Sequence, residues 1–141
     1  MKIILFLMAI GISSGPALEM RFYWGGEKYS IHLGREELRG LVAMKPEKEN
    51  SITLSVAQVT KKSFEGLSEF LKETPAKNAD LKRVGLKKIF KFGDGQEVWL
   101  WEAFFEYAPE NGGGATYDIS IYITKDGKVI LPKKVSDWGQ E

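Results

Sequence analysis

The chain has 141 residues, with 20 basic and 19 acidic side chains, one histidine and no cysteine, and a formal net charge of +1. That length allows one domain, and the counts exclude a multi-span transporter, a multidomain enzyme, a disulfide scaffold and a zinc-ribbon module. Charges of both signs are spread along the chain without a large block of either, so nucleic acid has no electrostatic footprint to bind.

Residues 1 to 17 have the layout of a secretory signal peptide: Lys2, the apolar run Ile3 to Ile12, then the small, turn-prone stretch Ser13, Ser14, Gly15, Pro16, Ala17. The run is well short of the roughly 20 residues a helix needs to cross hydrocarbon, so it reads as an address and not as a permanent span. Gly15 and Ala17 supply the small side chains of a peptidase site, which puts the cut after Ala17. No cysteine follows, so a lipid-anchored form is not expected. Removal of this segment takes away Lys2 and no acid, leaving 19 basic and 19 acidic side chains and weak long-range steering of charged partners. Asn50, Asn78 and Asn111 all lack the third residue of a glycosylation sequon, which favours a bacterial envelope. The expected location is the periplasm or the medium.

Residues 18 to 50 read as an N-terminal strand and a polar connector. Tyr29, Ile31 and Leu33 alternate with Lys28, Ser30 and His32 after a Gly25-Gly26 break, giving a strand region over Arg21 to Leu33. Gly34, Gly40, Pro46 and the charged run Lys45 to Glu49 mark the connector, with room for a short helical turn over Arg35 to Val42. Residues 51 to 135 read as the helix and sheet domain. Ser55 is a candidate N-cap, and Val56, Val59, Phe64, Leu67, Phe70 and Leu71 recur near the 3.6 period of a helix that Thr74-Pro75 stops.

After the linker Ala76 to Asp80 the period becomes 2, the mark of successive antiparallel strands. Val84, Leu86, Phe90 and Phe92 are expected on one face of the first. Gly93-Asp94-Gly95 turns into Glu97 to Tyr107, the most apolar strand. The glycine-rich loop Asn111 to Gly114 precedes Thr116 to Thr124, and Asp126-Gly127 is a hairpin turn into Lys128 to Leu131, which Pro132 ends. Residues 136 to 141 form a tail. The expected class is α+β: one helix packed on a curved antiparallel β-sheet of four to five strands.

That order, with the ending D-I-S-I-Y-I-T-K-D-G-K-V-I-L over Asp118 to Leu131, resembles the PepSY-like and cystatin-like modules of exported proteins. A S-x-x-x-A helix start around Ser51 to Ala57 and a D-G-x-V-x-x-P end at Asp126, Gly127, Val129 and Pro132 also look like those of uncharacterised exported bacterial proteins. The resemblance covers roughly residues 51 to 132 and implies a helix lying across a sheet and a modulator or inhibitor of peptidases. The cystatin hairpin motif Q-x-V-x-G is absent, since Phe92-Gly93-Asp94-Gly95-Gln96 stands there. A Pro-Trp in the second hairpin is absent as well, so the cystatin wedge into papain-type proteases is not expected.

Catalytic chemistry is sparsely served. His32 is the only imidazole, so a Ser/His/Asp arrangement depends on it and a multi-histidine metal site is excluded. Glu102 and Glu106 share a strand face but lie about 13 Å apart along it, beyond the roughly 5 to 10 Å of glycosidase carboxylate pairs. Glu102 or Asp118 in an apolar cone is the one general-base reading left, through a raised pKa. Gly112, Gly113 and Gly114 lack the lysine and helix start of a phosphate loop. Lys82, Arg83, Lys87, Lys88 and Lys91 read as a solvated strand face that guards an edge. No cofactor or metal is expected.

The aromatic strand exceeds what a core under one helix needs. Trp99, Trp101, Phe105 and Tyr107 share one face, and Val98, Leu100 and Phe104 the other, so one face is left over. Arg21 to Trp24 or the tail through Trp138 can cover it, a second copy can dimerise on it, or a partner can bind there. The expectation is an exported, non-enzymatic binding module that meets a protein or peptide partner of the cell envelope through Trp99, Trp101, Phe105 and Tyr107. The alternatives are a carrier of a small apolar ligand between helix and sheet, a structural homodimer and, last, a cone-type enzyme with one carboxylate base.

Overall fold

The computed structural model describes residues 17–72, 78–109 and 113–137. The signal-peptide segment, the Thr74-Pro75 stop and Trp138 of the tail lie outside the described residues, apart from Ala17. The strand region at the N-terminus is a hairpin of two strands, β1 (Leu18–Trp24) and β2 (Glu27–Leu33). Gly25 and Gly26 both take positive φ, 58° and 80°, which suits the two-residue turn that matches strand twist. The glycine pair therefore joins two strands where the sequence reading placed a break before one.

A short helix α1 (Arg35–Gly40) follows, closed at its start by the Glu37 carboxylate, which accepts the Gly34 N–H at 3.0 Å. Its Leu38 is fully buried. The connector continues through a 3-10 turn (Glu49–Ser51) into the long helix α2 (Val56–Leu71). Ser55 caps it as expected: its hydroxyl accepts the Gln58 N–H at 3.1 Å, and the Gln58 side chain accepts the Ser55 N–H at 2.8 Å.

Four antiparallel strands then form a meander, β3 (Ala79–Lys91), β4 (Glu97–Tyr107), β5 (Tyr117–Ile123) and β6 (Val129–Ile130), in the spatial order β3-β4-β5-β6. After Leu131 and Pro132 the chain leaves this sheet. A last strand, β7 (Lys133–Val135), pairs with Lys28, Tyr29 and Ser30 to complete a second sheet, β1-β2-β7. The class is α+β, with the long helix packed on an antiparallel sheet as the sequence predicts and with a second small sheet beside it.

Two apolar clusters share the central strand. Val59 and Leu67 of α2 pack on Trp101, Ala103, Phe105, Ile119, Ile121 and Ile123. On the opposite face, Val98, Leu100 and Tyr122 pack under Ile31, Leu33, Leu38 and Phe92. The expectation that Val84, Leu86, Phe90 and Phe92 share a face fails: the first two join the helix-side cluster, the last two the other. A register shift between Lys88 and Phe90 is the cause, because one extra residue exchanges the faces of everything beyond it.

Candidate functional site

The aromatic strand does not present an open face. Phe105 is fully buried, Trp101 and Tyr107 are 6% exposed, and all three look toward α2 or the aromatic cluster at the sheet end, where Trp24 stacks on Tyr107 at 5.6 Å. The other face is covered over Val98 and Leu100 by the β1–β2 hairpin and α1, a cover drawn from residues the sequence reading took for strand and polar connector. Trp99 stands apart from its three companions. Its indole N–H donates to Glu97 at 3.0 Å, and it lines a hollow of about 350 Å³ with Val42, Lys45 and Glu47. The aromatic-face site at Trp99, Trp101, Phe105 and Tyr107 is thus corrected to three core residues and one half-buried rim residue.

Glu102 lies on the face away from α2, opposite Gly85, with its side chain 9% exposed. Ser120 and Tyr122 donate hydroxyls to one of its oxygens at 2.9 and 3.1 Å, Lys87 reaches the same oxygen at 3.4 Å, and Arg83 approaches the other at 3.9 Å while resting on the Phe104 ring. Burial pushes the carboxyl up, but the Ser120 hydrogen bond, the Lys87 charge and the Tyr122 hydroxyl outweigh it and hold it below its ordinary value. Burial and the adjacent carboxylate push Tyr122 up to about 12. The shift runs opposite to the raised value that the general-base reading of Glu102 expects. Asp118 is exposed and faces Glu106 across β4 and β5, with no apolar cone around it.

His32 is half-buried among polar partners. Its Nε2 lies 2.6 Å from Ser30 Oγ and 2.8 Å from Glu19, whose carboxylate also takes two N–H bonds from Arg21. Arg21 is the main reason that the Glu19 carboxyl sits below its usual range, against burial and with help from His32. Nucleophile activation requires the base to meet hydroxyl and acid through opposite ring nitrogens. Here Ser30 and Glu19 both meet the same one, Nε2.

A cleft of about 900 Å³ opens where the chain passes from one sheet to the other. β6 is the last strand of the four-stranded sheet and pairs through Tyr122 and Ile123 of β5; β7 is the last strand of the three-stranded sheet. Both line the cleft, and the buried Pro132 between them prevents one continuous strand. Ile31, Leu33, Leu41, Ile130 and Leu131 supply apolar lining, and Glu36, Glu37, Glu69, Lys128, Lys133 and Lys134 exposed charge. Of these, Lys134 reaches Glu27 at 3.2 Å, and Glu36, Glu37, Glu69, Lys128 and Lys133 make no ion pair among the described residues.

Apart from His32, none of the cleft residues stood out in the sequence as a site. The available signal was a two-residue strand, a proline and a further three-residue run of strand-compatible side chains. No group of three or more potential metal ligands occurs among the described residues. Comparison with protein-family models, curated proteins and solved structures finds no match.

Proposed function

We propose that this protein is an exported, non-enzymatic binding module that holds an extended polypeptide segment in the cleft between its two sheets. One observation carries the reading: two end strands from different sheets, β6 and β7, line the same cleft. An end strand offers main-chain N–H and C=O groups to an added strand, and a peptide laid along it gains hydrogen bonds from its backbone and selectivity from pockets for alternate side chains. The cleft volume of about 900 Å³ falls within the roughly 300 to 1,000 Å³ of ligand sites, enough for a few residues. Export is supported by the pattern of Lys2, the Ile3 to Ile12 run and Ala17, and a binding role by the PepSY-like and cystatin-like resemblance.

The test is a nuclear magnetic resonance titration of the chain from Leu18 with the free-ended pentapeptide Val-Thr-Val-Thr-Val. Amide shifts confined to Ile31 to Leu33 and Lys128 to Val135 are expected. Gly40 offers a block: it lines the cleft, and a Cβ there meets no atom within 4 Å, so Gly40→Trp projects into open space. Binding that survives Gly40→Trp, or shifts centred on Trp99 instead, would sink the cleft reading.

A further inference from the structure

Resting on that reading, we propose that the cleft selects short peptides with free termini, taking the ammonium at Glu36 and Glu69 and the carboxylate at Lys128 and Lys133. Charged side chains beside one another usually pair. On this surface Lys88 reaches Glu97, Lys82 reaches Glu106 and Arg39 reaches Asp94. Around the cleft, Lys134 alone of the charged lining is paired, with Glu27, whereas Glu36, Glu37, Glu69, Lys128 and Lys133 make no ion pair among the described residues.

Both signs line the cleft, so a polyanion or a polycation laid along it meets like charges as well as opposite ones. A purely apolar ligand gains from the Ile31, Leu33 and Leu131 lining but strips water from charges of both signs without compensation. A zwitterion with an apolar middle satisfies both sets, and a short peptide is the zwitterion whose backbone also suits two strand edges. An internal loop of a folded partner carries neither terminal charge. The cleft thereby separates short peptides, whose two terminal charges lie within its reach, from the internal segments of intact proteins.

The experiment compares Val-Thr-Val-Thr-Val with its N-acetylated, C-amidated form by isothermal titration calorimetry, on the chain from Leu18 and on two variants, Lys128→Gln with Lys133→Gln and Glu36→Gln with Glu69→Gln. All four sites are exposed, so the variants are expected to fold, which circular dichroism checks. The free-ended peptide should bind at least tenfold more tightly than the capped one. Each variant should lose most of that preference, and raised salt should weaken it. If both peptides bind alike and Gly40→Trp abolishes both, the terminus proposal is overturned while the cleft reading stands. If neither binds, both readings fall.

Discussion

At the scale of single residues, the most consequential side chain is Glu102, because nothing else on the outer sheet face gathers so many donors. Three of them converge on one oxygen, and together with nearby basic charge they reverse the effect of burial. The carboxyl sits below its ordinary value of 4.5, so its ionised form adds stability that is fully present above that value and drains away as pH falls through the lower, folded value. Glu102→Gln should therefore lower the urea midpoint at neutral pH, and its deficit relative to wild type should shrink as the pH approaches about 3. A deficit independent of pH would mean that the carboxylate charge contributes nothing. Trp101 presents the contrary case: its indole N–H is buried without a hydrogen-bond partner, a cost the core carries in exchange for the area of the ring. Residue chemistry of this kind was only partly legible in the sequence. Glu102 was noticed because an acid between Leu100 and Phe104 is unusual, yet the sign of its shift depended on Ser120, Tyr122 and Lys87, which lie on other strands.

Between elements, α2 lies close against the sheet at Gly66. Gly66 lies on the buried face of the helix, and a Cβ added there would stand 2.7 Å from Val129 Cγ1 and 3.4 Å from Ile121 Cγ2. In an exposed helix, Gly→Ala would stabilise by about 1 kcal/mol. Here the added methyl forces β6 and its hairpin away from the helix, and overpacking costs about 1 to 3 kcal/mol. Gly66→Ala is expected to come out net destabilising, with a lower thermal midpoint and larger amide shifts at Val129 than at the helix start; a stabilised variant would refute the close contact. The helix itself was legible from its period and from Ser55, because capping and amphipathicity are local. The face of β3 was not, since an alternation read along the sequence takes no account of a register shift, and the one beyond Lys88 moves Phe90 and Phe92 to the other cluster.

Across the whole molecule, β4 is the shared wall. Leu100 serves the cluster under the hairpin and α1, and Phe105 the cluster under α2; both are fully buried. Two cores built on opposite faces of one strand cannot be lost independently, so unfolding should be a single transition. Leu100→Ala and Phe105→Ala should each destabilise by about 3 kcal/mol, and tryptophan fluorescence and circular dichroism should report the same midpoint in each variant. Separate transitions in either variant would show that the two sheets fold as separate units. β7 adds to this coupling, since it returns the chain from the β6 hairpin to Lys28, Tyr29 and Ser30, more than 100 residues earlier. The cleft is the by-product of that return, bounded by the two strands that end their sheets.

By itself the amino-acid sequence determined the long helix, its cap, the four-strand meander and the α+β class, because periodicity, caps and glycine turns act over a few residues. It also marked Glu97 to Tyr107 as a strand apolar on both faces, which is what a shared wall requires. Only the tertiary structure decided which face met the helix, what covered the other, and where an opening remained. Those outcomes depend on Ile31, Leu33 and Leu38 folding over Val98 and Leu100, and on a three-residue strand too short to announce itself pairing with the first hairpin. Burial is settled by contacts between distant segments, so three of the four aromatic residues most conspicuous in the sequence became core, and ordinary lysines and glutamates came to rim the cleft.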